Sequence, residues 1–364
     1  MTIRTLLAVL AIAGSAAGLN AQTSQRINAG KANEYGLIYN LPRTVADIYL
    51  VAEITEEAPG EFHNYARRHL GVGNAITAAS QSARLTEAVI VPRGVADPEE
   101  QWLAQFKNGS TTSILLTPDN IPVGSNIENA PETAAAEIPQ ARDAAPTALE
   151  TEAARHAITQ EMARSSSTSK RAELAAQRIF ELREMRSDIL SGQADNMPSD
   201  GAAMQLVLDN LSAQEAALTA MFTGTRRTRT VVGKVTFTPD STDVDGRVIA
   251  RISVTDGIIE ADNLAGAPVT LDMSVLERGE LPVNEKGEVK TFPRGGVAYR
   301  VPGRARLSVG YAGNTVATAD IDVAQLGVVF GLNPSLFSDK REPSMAIFDP
   351  TTGSVAELGP VSRQ

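Results

Sequence analysis

The sequence predicts an α+β protein: two β-rich, antiparallel, sandwich-like parts with a helical hairpin between them. Three observations predict it. Apolar residues alternate with polar ones on both sides of the chain's middle, the period expected of half-buried strands. Between them two long segments carry apolar stripes stepping by three and four, the helical period. The break between the first β-rich part and the helices is a stretch rich in Ala, Pro and Glu.

The chain opens with Arg4, an apolar run from Leu6 to Ala17, and small residues leading to Ala21. This is the pattern of a secretory signal peptide with Gln22 as the new N-terminus. A bilayer-spanning helix needs about twenty apolar residues, more than this run provides. Residues 1–21 are thus expected to be removed, and 22–34 form a polar segment.

The first β-rich part is expected over residues 35–122. Ala46, Ile48, Leu50, Ala52 and Ile54 alternate with Asp47, Tyr49 and Glu53. Phe62, Tyr65, Ala66, His69 and Leu70 lie at helical spacing, and Gly71-Val72-Gly73 ends that short helix. Asn108-Gly109 between Trp102–Phe106 and Thr112–Leu116 is a hairpin signal, since both residues tolerate positive φ. Residues 123–150 read as a solvated linker, too poor in large apolar side chains to build a core.

The helical part is expected over 151–224. A helix over Thr151 to Arg164 is broken by Ser165 to Ser169, and a longer one runs from Lys170 to Leu190, closed by Gly192. Its stripe is Ala172, Ala175, Ile179, Leu182 and Ile189. A third helix follows Pro198-Ser199-Asp200, where Ser199 or Asp200 can cap, and reaches Phe222 before Gly224. Its stripe is Val207, Leu211, Leu218 and Met221. The two should pair as an antiparallel hairpin packed onto a neighbouring sheet, with a partner-binding arm as the alternative.

The last part, 225–364, alternates again in Val231, Val235 and Phe237 and in Val248, Ala250, Ile252 and Val254. The clearest unit sets Ala305, Leu307, Val309 and Tyr311 against Ala317, Ala319, Ile321 and Val323, with Gly313-Asn314 as the turn. Arg304, Arg306, Ser308, Thr318, Asp320 and Asp322 fall on the opposite, wet face. Met345–Phe348 and Val355–Leu358 bracket a second turn, Asp349 to Gly353.

Several segments together resemble a Bacteroidetes-associated family of exported proteins defined only by a domain of unknown function. They are Tyr39-Asn40-Leu41-Pro42-Arg43-Thr44, Tyr65-Ala66-Arg67-Arg68-His69-Leu70-Gly71, Ile179-Phe180-Glu181-Leu182-Arg183, Asp200-Gly201 and Met221-Phe222-Thr223-Gly224. Tyr299-Arg300-Val301-Pro302-Gly303 and Ala324 through Phe330 complete the set. Their order covers roughly Tyr35 to Leu358. The resemblance implies the same two-part β-rich fold with a helical hairpin, and brings no activity and no catalytic residues.

The composition excludes several classes of function. There is no Cys, which removes disulfides and thiolate metal sites. The formal charge of −10, one unit more negative after loss of Arg4, argues against nucleic acid as a partner. An aromatic content of 4% weighs against a sugar-binding surface built on aromatic platforms.

The search for chemistry assigns no catalytic, cofactor-binding or metal-ligating residue and no cofactor. His63 and His69 are six apart, not at the i, i+4 spacing that shares an ion, and His156 stands alone. Asp240 with Asp243-Val244-Asp245-Gly246 imitates part of a calcium loop, but Ile252 falls where the bidentate Glu belongs. Ser308 lacks the first Gly of a nucleophile elbow. Arg226, Arg227, Arg229 and Lys234 form a basic cluster, read as the polar face of a strand or as a contact for an anionic partner. Asp240-Ser241-Thr242 resembles a short acceptor for O-glycosylation in exported Bacteroidetes proteins.

These readings lead to one expectation and two alternatives. The expectation is an exported cell-envelope protein, structural or binding, periplasmic or outer-membrane-associated or extracellular, that acts through protein partners. The alternatives are a hydrolase using paired carboxylates and a glycan- or ligand-binding module.

Overall fold

A computed structural model of the chain describes residues 23–26, 36–105, 113–131, 135–194, 201–294, 296–333, 335–338 and 344–361. The expected signal peptide lies outside these residues, as do Asn108-Gly109 and the two candidate caps Ser199 and Asp200. Among the described residues no helix is long and apolar enough to cross a membrane. The fold is α+β with antiparallel sheets and a helical segment between β-rich parts.

Strand β2 (Leu37–Ala58) is the spine. Its 22 residues have a contour length of about 70 Å at roughly 3.3 Å per residue. With β1 (Thr23–Arg26), β3 (Ser80–Gln105) and β6 (Thr225–Phe237) it forms a sheet in the order β1-β3-β2-β6. Pro42 has no N–H to give the ladder, and it sits where the β2–β3 register shifts after Asn40.

The second sheet is built from β7 (Val244–Ser253), β8 (Gly257–Ile259), β9 (Ala267–Glu277), β10 (Val297–Tyr311) and β11 (Asn314–Leu332), in the order β11-β10-β9-β7-β8. It packs on the first. Ala46, Ile48, Leu50 and Ala52 of β2 share one core with Ile252, Leu271, Leu307, Val309 and Val323. The opposite face of the β10–β11 hairpin carries the expected polar ladder. Arg306 makes two bonds to Asp320, at 2.7 and 2.9 Å, and Ser308 pairs with Thr318.

The third sheet is small, β13-β12-β5-β4, from β4 (Ile114–Leu116), β5 (Pro122–Ser125), β12 (Ser344–Phe348) and β13 (Val355–Pro360). It packs with the first half of β10, burying Val297, Phe337, Ala346 and Phe348. The expected hairpin around Asp349 to Gly353 forms, with Gly353 at φ +75.

Four expectations about the β-rich parts and the linker need correction. The two β-rich parts are not separate units, because β6 zips along β2 from Ala46↔Phe237 to Ala58↔Thr225 and both sheets enclose one core. Second, Trp102–Gln105 does not pair with Ile114–Leu116. Both edges of that end of β3 are taken, by β1 and by the start of β2, so β4 joins another sheet.

Third, the linker begins inside the fold, since Val123, Gly124 and Ser125 lie in β5 and are buried. Further on, Arg142 exchanges two backbone hydrogen bonds with Thr230 on the outer edge of β6, at 2.9 and 2.8 Å. Fourth, the β10–β11 turn is Ala312-Gly313, at φ +50 and +79, one residue earlier than expected. Keeping apolar pairs such as Leu307↔Ala319 on one face conflicts with a two-residue loop, and a register shift between Val309 and Gly310 absorbs the mismatch.

The helical part begins with α2 (Glu152–Ala157) and α3 (Gln160–Arg164), after the short α1 (Ala66–Leu70) earlier in the chain. The hairpin itself is α4 (Thr168–Ser191) and α5 (Gly201–Thr223). Ser167 caps α4 at its N-terminus and Gly192 closes it at φ +74. The hairpin does not lie on a sheet face as expected. It builds its own core from Leu174, Ile179, Leu182, Leu218 and Phe222 together with Phe62, Ala157 and Met162. The apolar faces of the two large sheets cover each other, so the helices pack among themselves at the end of β2.

Candidate functional site

The spine has two ends, and a surface feature sits at each. Where β2 ends, Phe62 N–H donates to the Met221 carbonyl at 2.7 Å and the two rings of Phe62 and Phe222 meet at 5.3 Å. Gly60 is required here, because a Cβ would fall on the Met221 carbonyl. Arg171 lies over the Phe62 ring and pairs with Glu61. Further along the hairpin, Glu215 of α5 receives both Arg183 and Arg186 of α4, at 2.6 and 2.8 Å. The base is therefore fixed by packing and the middle by a charge clamp.

Beyond the clamp Ile189 keeps the α4 side of the seam buried, while the α5 side opens. Val207 and Leu211 continue the stripe of Leu218, yet Leu211 is only half-buried and Val207 is exposed. Leu190 on α4 is 68% exposed and Leu206 on α5 is 72% exposed. Leu206, Val207, Asn210 and Leu211 line a shallow dent of about 360 Å³. The far end of the hairpin thus presents large apolar side chains that stay exposed among the described residues.

At the other end, the strap between β9 and β10 folds over the last residues of β11. Val283 bridges Val289 across a turn at Asn284–Gly287, where the Asn284 carboxamide oxygen accepts from Lys286 and Glu288 N–H. Phe292 stacks on Trp102 with ring centroids 5.6 Å apart, and its ring tip lies where a Cβ on Gly331 would come within 2.8 Å. Phe330 and Tyr299 continue the aromatic series edge to face at 6.2 Å. Strap and sheet enclose an open groove of about 660 Å³. Burial pushes the Tyr299 phenol above its usual pKa.

The charged groups singled out in the sequence are spent on structure. Arg226 binds Glu57 and Arg227 binds Glu150, while Arg229 donates to the Thr255 carbonyl. Lys234 meets Asp47 at 2.8 Å, and Arg93 and Thr236 bond the same carboxylate. Burial acts to raise the Asp47 pKa, but the bonds from Lys234, Arg93 and Thr236 outweigh it and hold it at about 2. The Arg226 bond keeps Glu57 below the usual carboxylate range, and the Thr147 N–H does the same for Glu150.

The histidines are not brought together. His63 Nδ1 meets the Gly60 carbonyl, His69 packs between Tyr65 and Phe222, and His156 lies 3.7 Å from Glu152. Asp243, central to the imitation calcium loop, accepts the Val275 N–H at 2.7 Å. Among the described residues no group of three or more potential ligands is placed to hold a metal.

Sequence comparison places these features in a family. The profile of a family described as Domain of unknown function (DUF4831) matches residues 35–356. The chain belongs to this family. No curated protein and no solved structure matches it.

Within the family's span, the segments on which the resemblance rests converge at two places. The Tyr39 hydroxyl accepts the Ala298 N–H at 2.9 Å, and Thr44 and Gln325 exchange bonds at 2.9 and 2.7 Å. Arg300 reaches Asp97 at 3.0 Å and the Ala324 carbonyl at 3.3 Å. This knot ties β2, β3, β10 and β11 together. The segments that carry Ala66, Ile179, Leu182 and Phe222 meet in the helical core, while Gly201 is exposed and Asp200 lies outside the described residues. Both places are buried, so the family pattern marks how the chain folds. The groove residues Asn284 to Phe292 have no periodicity, and their one sequence signal was the Asn-Glu-Lys-Gly turn between two valines.

Proposed function

We propose that this chain is an exported cell-envelope protein of structural or binding type that works through protein contacts, with the far end of the helical hairpin as its contact surface. The observation that carries the reading is the exposure of Val207, the last residue of the α5 stripe, and of its neighbour Leu206 beside half-buried Leu211, with Leu190 exposed near the end of α4. Side chains of this size left bare together at the tip of a projecting element mark an interaction surface. The Bacteroidetes association of the resemblance, and the signal-peptide pattern, supply the envelope part of the proposal.

The hydrolase alternative receives less support from the electrostatics. A general acid needs a carboxyl raised towards neutrality. Among the described residues every carboxyl with a displaced pKa, Asp47, Glu57, Glu150 and Asp320, is displaced downwards.

The test compares the wild type with the double variant Leu206→Asp, Val207→Asp in capture from detergent-solubilised envelope fractions. Both positions are exposed, so thermal stability should be unchanged. Loss of one discrete captured species in the variant supports the proposal. Equal capture by both proteins, with equal stability, overturns it.

A further inference from the structure

The groove at the opposite end of the spine is independent of the hairpin, and its lining has a definite chemistry. Its walls and floor combine ring-bearing side chains with hydrogen-bonding groups. Phe330 and Tyr299 lie at the bottom, with Pro282 and Pro293 contributed by the strap. Among the described residues the Tyr299 hydroxyl bonds to no protein group, and its raised pKa keeps it a proton donor.

The rim is polar but carries no net charge. Glu288 and Lys290 flank Val289 on the strap, so an anion or a cation entering here meets one favourable and one opposing charge. Asn333 commits its carboxamide oxygen to Ser335, at 3.0 Å to the N–H and 2.9 Å to the hydroxyl, leaving its N–H groups as donors beside Thr291. A volume of about 660 Å³ leaves room for a small molecule.

The half-buried rings of Tyr299, Pro282 and Pro293, above the buried Phe330 and surrounded by neutral donors, acceptors and one charge of each sign, match a neutral, hydroxyl-rich ring compound. We propose that this groove is a binding site for a neutral saccharide. A purely apolar ligand would leave the Tyr299 hydroxyl and the Asn333 amide without partners, which is unfavourable for groups removed from water. The low overall aromatic content does not weigh against it, because Tyr299 and Phe330 line this groove and Phe292 and Trp102 continue the same ring series beside it.

The molecule supplies its own reporter. Trp102 is the chain's single Trp and stacks on Phe292 at the groove. The full chain, without its leader, would be screened on a microarray of neutral and uronate-containing oligosaccharides, and each hit titrated by Trp102 fluorescence. Saturable change with neutral oligosaccharides is expected, with uronate-containing ones binding more weakly. Tyr299→Phe removes only the hydroxyl and should weaken binding on the order of tenfold. Lys290→Ala, an exposed position, should weaken it several-fold and leave melting unchanged. No saturable change with any neutral member overturns the proposal, as does equal or tighter binding of uronates, or binding indifferent to both variants. Loss of hairpin capture leaves this titration untouched, so the two proposals fail separately.

Discussion

Replacing Asp47 by Asn tests the electrostatics of the central sheet. The Asp47 side chain is 5% exposed, midway along β2, and receives Arg93 from β3 and Lys234 and Thr236 from β6. Its pKa falls from 3.8 to about 2 on folding. A group with a depressed folded pKa adds stability above its unfolded value and loses that stability as pH falls through its folded one. The window here is from about pH 4 down to pH 2. At about 1.36 kcal/mol per unit, the shift is worth about 2 kcal/mol at neutral pH. Arg93 and Lys234 are half exposed, so water can solvate them when the carboxylate is lost, and the cost should not greatly exceed that figure. Urea melts at pH 7, 5, 3 and 2 measure it, urea being preferred because guanidinium chloride screens charge. The gap between wild type and Asp47→Asn should be about 2 kcal/mol at pH 7 and close by pH 2. A gap that stays constant with pH would mean the loss is one of packing, and the charge argument would be refuted.

Three further outcomes follow from packing and strand pairing. Ile179 is fully buried in the helical core, so Ile179→Ala should cost about 2–5 kcal/mol in urea melts, while half-buried Leu211→Ala should cost clearly less. Brief proteolysis should cut first within residues 135–141, exposed for most of their length, before the buried β5 or the Arg142–Thr230 pairing is breached. Mass spectrometry of the native protein should find Gln22 or a close neighbour at the N-terminus, and intact Met1 on a soluble cytoplasmic protein would remove the export proposal.

Local pattern carried much of this fold. The alternation of Ala46 to Ile54, the ladder of Arg306 and Asp320, and the stripe of Ala172 to Ile189 each report a side chain's own surroundings. Strand and helix placement could therefore be read directly. Partner choice is a different kind of information. Nothing local in Thr225–Phe237 says that it pairs with β2, some 170 positions earlier, or that β12 pairs with β5. Those choices depend on which edges remain free once the whole chain collapses. The same limit applied to surfaces. The hairpin stripe was legible, but its exposure at Val207 depends on how far the core of Phe62 and Phe222 extends. The groove was not legible at all, because Tyr299 and Phe330 meet the strap only through the β10–β11 register.

The most direct test of the contact-surface reading is a photo-crosslinking scan in intact cells. A photoreactive amino acid would be placed in turn at position 206, at position 207, at the exposed outer-face position 180, and at position 289 on the opposite end. The account predicts one discrete crosslinked partner from 206 and 207 and none from 180 or 289. Crosslinks that are absent at 206 and 207, or that appear with equal yield at all four positions, would contradict it.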